Sequence, residues 1–280
     1  MAQGSSTGVS QLKLPVTARN ASLAEALVAA QGDLSSTALN PANLATLKDL
    51  EIILSHTEWI QDIQSEHLTI GYPTRLGTFA FSVSSTNTGN IEVREIPGPP
   101  LATFTARSAS LQASYATALA PTIDAGISAK FLYDKLYVEE ATGVALDAGL
   151  LYHPPVEGLV FGASVANAGT MNAYVQQSTD LPLLARVGGS FKTSYDDFAF
   201  MLASQFTIEK RSQTDKLHFG FEASYKQRLA LRLGYQSGYD SRSIAAGLGA
   251  TYEWVNVDYA YVPFSLNLGN AHLFTIGFRL

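Results

Sequence analysis

Five histidines, the side chains best suited to proton transfer near neutral pH, stand at positions 56, 67, 153, 218 and 272. They are scattered. No His-x-x-x-His pair would seat a metal on one helical face, and no Gly-x-Ser-x-Gly elbow supplies a nucleophile. Cysteine is absent, which removes disulfide and thiol chemistry. These residues predict a protein that is not an enzyme and uses no cofactor and no metal. The remaining candidates are charges set singly into otherwise apolar runs. Arg186, His218, Glu222, Arg232 and Asp258 form the group of interest, with Asp124, Lys130, Asp147 and Arg279 in similar settings. Ionisable groups withdrawn from water must pair. Glu222, Arg232 and Asp258 lie on neighbouring segments, so cross-segment pairing can join some of them. As a lumen polar cluster they would contact a permeant or hold an internal plug in register, and the second role is favoured.

The elements that carry these charges alternate with period two from Leu50 onward. Leu217, Phe219, Phe221, Ala223 and Tyr225 oppose His218, Gly220, Glu222 and Ser224. Leu229, Leu231, Leu233 and Tyr235 oppose Ala230, Arg232 and Gly234. At the C-terminus Phe274, Ile276, Phe278 and Leu280 oppose Leu273, Thr275, Gly277 and Arg279. Fourteen such strands are predicted, at 50-57, 65-73, 77-85, 108-118, 122-135, 143-153, 158-167, 183-191, 197-209, 216-226, 229-237, 243-253, 255-263 and 271-280. Every second connection is short (73-77, 120-121, 154-157, 227-228, 253-254), whereas the others include long ones at 85-107 and 169-182. Short turns at one end and long loops at the other are the arrangement of an outer-membrane barrel with periplasmic termini. A sandwich would alternate too, but would not predict that asymmetry.

Composition agrees. The 280 residues are 46% hydrophobic and 15% charged, with a mean hydropathy of +0.08, and no apolar run reaches the roughly 18 to 20 residues of a spanning helix. Strands that interleave lipid-facing and lumen-facing residues average to neutral hydropathy in this way. The net charge of -6, with no basic block, excludes nucleic acid as a partner. Tyr133, Tyr152, Tyr225, Tyr235, Tyr252 and Trp254 fall near strand ends and suit interfacial girdles. The start, Met1-Ala-Gln-Gly, lacks a basic region followed by an apolar core. It reads as a mature N-terminus of a protein exported to the bacterial outer membrane with a signal peptide not present in this chain.

Residues 1-49 differ in kind. Leu23 to Ala30 carries helix formers that Asn20 or Ser22 could cap, and a turn-rich stretch follows. The expectation is a hatch or plug at 1-49 inside a transmembrane barrel at 50-280. Glycines predicted on the inward face (Gly71, Gly126, Gly149, Gly162, Gly188, Gly220, Gly234, Gly247, Gly249 and Gly277) leave it volume, or relieve sheet curvature.

The segment Gly32-Asp33-Leu34-Ser35-Ser36-Thr37-Ala38-Leu39-Asn40-Pro41-Ala42-Asn43-Leu44-Ala45 resembles the N-terminal signature of the PorV/PorQ family within the FadL-like barrels. The block from His56 through Trp59 to Ile63, the stretches Leu68-Pro73 and Leu76-Thr78, and the terminal Gly277-Phe278-Arg279-Leu280 are similar to that family as well. Leu280 departs from its commoner terminal Phe. The resemblance implies a fourteen-stranded barrel with an N-terminal plug whose hatch or gate includes Asn40, Pro41 and Ala42. For PorV-like members it implies a type IX secretion role, receiving cargo and engaging protein partners through external loops, here chiefly 86-107 with its Ile96-Pro-Gly-Pro-Pro100 stiffener. For FadL-like relatives it implies uptake of a hydrophobic ligand, or capture of detergent, in the lumen and release through a lateral opening. Outer-membrane lipid is the common partner of both.

Overall fold

The computed structural model describes residues 9-94, 98-174, 178-210 and 214-280. Fourteen long strands form one closed antiparallel sheet: β1 (Glu51–Trp59), β2 (Ile63–Thr74), β3 (Gly77–Val93), β4 (Ala102–Ala120), β5 (Ile123–Leu136), β6 (Glu139–Tyr152), β7 (Leu159–Ala173), β9 (Leu184–Tyr195), β10 (Phe198–Glu209), β11 (Lys216–Tyr225), β12 (Leu229–Ser237), β13 (Ile244–Tyr252), β14 (Val255–Pro263) and β15 (Asn270–Arg279). The two-residue β8 (Ser178–Thr179) adds only to the outer end of β7. Sequence neighbours pair in turn, and β1 pairs with β15 from Glu51↔Arg279 to Glu58↔His272. The terminal strand therefore closes the sheet and leaves neither end strand with a bare edge.

The wall is inside out relative to a soluble protein. Leu54, Phe81, Ile127, Leu146, Leu202, Leu231, Leu248 and Ile276 are all exposed on the outer surface. Buried inward positions are instead small or polar, such as Ser114, Ser128, Ser164, Ser190, Gln205 and Thr275. A continuous apolar belt of this kind is stable only in hydrocarbon. Of the expected girdle residues, Tyr152, Tyr225, Tyr252 and Trp254 are exposed at the short-turn end, joined there by Tyr72 and Tyr195, whereas Tyr133 and Tyr235 lie toward the long-loop end.

Two loop expectations need correction. The predicted loop 86-107 is mostly strand, because β3 continues to Val93 and β4 begins at Ala102, with a register shift between Thr88 and Ile91. The loop at 169-182 likewise loses residues to β7 and β8. Thr86 to Thr88 reads as a loop by polarity, but a ladder needs only backbone groups, and strands that project beyond the membrane carry polar side chains on both faces. Ile96 and Pro97 of the expected stiffener lie outside the described residues.

The helix expected over Leu23 to Ala30 also shifts. It forms one turn earlier, as α1 (Ala18–Ser22), and its N-cap is Thr17, whose hydroxyl accepts from the Asn20 N–H. Ala24 and Glu25 then take φ of 50° and 62°, which ends the helix. The backbone groups released there bond elsewhere: Ala24 O to His218 Nδ1, Val28 N to Gln205 Oε1, Val28 O to Asn40 Nδ2 and Ala29 O to Ser190 Oγ. Tertiary hydrogen bonds have overridden local propensity.

Candidate functional site

Residues 9-47 fold inside the barrel as α1 and three short 3₁₀ turns at Ser10–Lys13, Leu34–Ser36 and Pro41–Leu44. Leu23, Leu27, Val28, Leu34 and Leu44 are at most 1% exposed. They pack on wall residues that include Met201, Leu151, Val160, Ile53 and Ala116.

Inward glycines make that approach possible. A Cβ at Gly126 would lie 2.4 Å from the Pro41 carbonyl carbon, at Gly162 2.4 Å from Val28 O, and at Gly234 2.5 Å from Ala24 N. Gly149 faces Asn40 so closely that any side chain there would overlap its amide. The gate residues proposed from sequence are consequently deep in the structure. Asn40 Oδ1 caps the third 3₁₀ turn through Ala42 N at 3.0 Å, and Pro41 follows in the first helical position, where its missing N–H costs nothing. Asn40 Nδ2 donates to Val28 O at 2.7 Å and to Leu150 O on β6 at 3.2 Å, tying the segment to the wall. Asn40, Pro41 and Ala42 are all buried.

The polar residues expected to cluster divide into two groups. Glu222, Arg232 and Asp258 come together: Arg232 Nε donates to Glu222 Oε2 and Arg232 Nη1 to Asp258 Oδ1, each at 2.5 Å. Gly249, between β12 and β14, opens the path, since its Cβ would lie 2.4 Å from Asp258 Oδ1 and 2.9 Å from Arg232 Nη1. The inward segment supplies two members that sequence reasoning missed. Arg19 reaches Glu222 with Nε at 3.0 Å and also pairs with Asp33. Burial alone would lower the Arg19 pKa, but the charges of Asp33 and Glu222 overcome it and hold the guanidinium above its ordinary value. The available signal was that charges in an inward segment must find wall partners: Lys13 meets Glu209 and Glu25 meets Arg242 as well.

Arg186 and His218 do not join this network. They line a cavity of about 70 Å³ toward the long-loop end, together with Asn20 and the strap Gln11 to Val16. Below α1, Arg19, Asp33, Glu51, Arg232 and Asp258 line a vestibule of about 790 Å³ at the short-turn end. Asn20 thus faces the upper space and Arg19 the lower. A third space, a groove of about 790 Å³, runs along the lipid side of β7, β9, β10, β11 and β12, between Phe161, Val187, Leu202, Phe219 and Leu233. Its floor is formed by Gly188, Gly189, Gly220 and Gly234. Among the described residues, no group of three or more His, Asp or Glu side chains is placed to hold a metal ion.

The fold is that of a closed fourteen-strand transmembrane barrel. No family model matches the sequence, and no curated protein matches it significantly. Solved structures do share the fold. The CymD monoaromatic hydrocarbon channel superposes with a TM-score of 0.61 at 12% identity, over 94% of this chain and 96% of its own. The P. putida toluene transporter TodX gives 0.58 at 10% identity over 89% and 94%. The Ralstonia pickettii toluene transporter TbuX gives 0.57 at 13% identity over 92% and 97%. At these identities the likeness is one of fold, and it does not extend to the PorV/PorQ assignment.

Proposed function

We propose that this protein is an outer-membrane transporter of hydrophobic small molecules, with residues 1-49 as its hatch. The observation that carries the reading is the thinness of the wall beside the lipid-side groove. Gly188, Gly220 and Gly234 floor that groove from outside, and the same glycines abut Val28, Leu23 and Ala24 from within, where a Cβ would meet them at 2.8, 3.1 and 2.5 Å. One layer of backbone separates an apolar hatch face from an apolar groove open to lipid. Under this proposal an apolar solute that displaces Leu23 to Val28 reaches the bilayer there once the ladders joining β9, β10, β11 and β12 open locally. In this reading the Asn40-Pro41-Ala42 turn is the fixed point about which the hatch moves, and no catalytic step is required. The fold-level likeness to hydrocarbon transporters supports the same conclusion. The secretion role implied by the PorV/PorQ resemblance relied on a long recruiting loop at 86-107, most of which is strand; no feature of the lumen favours it.

A disulfide lock tests this directly. A Cβ at Gly220 would stand 3.2 Å from Leu23 Cβ, a few tenths of an ångström inside the roughly 3.5 to 4.5 Å of a disulfide, so a slight retreat of the segment allows the bond, and the absence of native cysteine removes background. The double variant Leu23→Cys/Gly220→Cys in proteoliposomes should take up toluene when reduced and lose most of that uptake when oxidised. Equal uptake in both states would remove the hatch from the transport path.

A further inference from the structure

The small upper cavity carries an unmet hydrogen-bonding demand. Arg186 Nη1, His218 Nε2 and Asn20 Oδ1 have no partner among the described residues, although these residues are only 9%, 1% and 1% exposed. All three residues line the same 70 Å³ space. Buried polar groups are otherwise paired almost without exception, so three orphans around one cavity mark a place for water or for the polar end of a ligand.

Their directions are fixed. A guanidinium nitrogen only donates. His218 Nδ1 lies 2.7 Å from the carbonyl oxygen of Ala24, which only accepts, so that nitrogen carries the ring proton and Nε2 of the neutral ring presents a lone pair. Asn20 Nδ2 donates to Ser35 O at 2.9 Å, which identifies Oδ1 as the acceptor. The demand is one donor and two acceptors. A hydroxyl, which accepts and donates at the same atom, answers both kinds. A carboxylate would satisfy Arg186 but face two lone pairs, and a hydrocarbon would leave all three atoms bare. Charge alone does not decide the ligand: Glu25 and Asp147 act on Arg186 but also pair with Arg242 and Lys130, and Glu209 is shared by Lys13 and Lys216, so the two lone pairs are what disfavour a carboxylate.

We propose that this cavity is a hydroxyl-recognition site that separates alcohols from hydrocarbons of the same skeleton. The inference rests on the transport reading and names a substrate class for it. At about 70 Å³ the space is well below the roughly 150 Å³ that admits a benzene ring. A hydroxymethyl end fits that space, and the ring that carries it enters by displacing Leu12, Leu14 and Leu39, which line the same cavity.

Benzyl alcohol, toluene and benzoate differ only at the group in question, and their equilibrium binding to the full chain in lipid nanodiscs tests the proposal. Benzyl alcohol should bind on the order of 10-fold or more tighter than toluene, because a site built around a hydroxyl penalises its absence, and benzoate should gain no such preference. In His218→Phe and Arg186→Met the alcohol preference should shrink toward unity with toluene binding retained. Equal binding of alcohol and toluene by the unaltered protein overturns the proposal, whatever the folding of the variants. So does a preference that survives both substitutions, and so does tightest binding of benzoate, which would make the cavity an anion site. Toluene uptake in proteoliposomes without alcohol preference would sink this inference and leave the transport reading standing; failure of uptake for toluene and benzyl alcohol alike would remove both.

Discussion

Gly249 shows how much of the lumen chemistry rests on what a residue lacks. Its missing side chain lets Arg232 on β12 reach across to Asp258 on β14, two strands away. The charges themselves were legible, because an isolated ion in an alternating apolar strand has few fates other than the lumen. Their grouping was not. Strand register relates Glu222 to Arg232, but nothing local shows that the inward segment delivers Arg19 to Glu222 or that Arg186 and His218 face a different cavity. The pairing predicts an asymmetry between two arginines. Arg232 is buried among two carboxylates, and Arg232→Met should destabilise the barrel by about 3 to 5 kcal/mol, since it leaves Asp258 buried without its cation. Arg279 is 65% exposed beside Glu51, and Arg279→Ala should cost under about 1 kcal/mol. The temperature at which each variant loses its compact form on unboiled gels ranks them, and similar losses would contradict the network assigned here.

At the scale of the element, period-two alternation located every long strand, since a wall one residue thick must turn each successive side chain to lipid or to lumen. It failed where the wall leaves the bilayer. Beyond the hydrocarbon there is no apolar face to alternate against, so the outer ends of β3, β4 and β7 read as loops although their ladders continue. The path of the inward segment was illegible for a related reason: it is set by partners such as Gln205, Ser190 and Leu150, far away in sequence. Facing on β12 makes a test of the wall itself. Leu231 is 49% exposed on the outer surface, and Leu231→Arg places a charge in lipid at a cost of roughly 2 to 4 kcal/mol near the midplane. Folding yield into bilayers should fall accordingly. Unchanged yield would mean that β12 presents its other face to lipid.

For the whole molecule the question is which part seals the pore. Fourteen strands pair in an unbroken ring without any ladder contribution from residues 9-47, whereas that inward segment supplies close to half of the apolar side chains buried among the described residues. Closure of the sheet and obstruction of the lumen are therefore separable. Removing residues 2-48 should leave a barrel that still inserts, because the β1–β15 seam from Glu51↔Arg279 onward lies outside the deletion. The inward glycines that now accommodate Pro41, Val28 and Ala24 would then border water, and the small and polar wall tolerates that exposure where an aliphatic core would not. The intact protein, with α1 standing between the upper cavity and the lower vestibule, should conduct ions weakly across a planar bilayer, and the deleted one should show a large, steady conductance. A deleted barrel that inserts but conducts no better than the intact chain would place the seal in the external connections instead of the hatch.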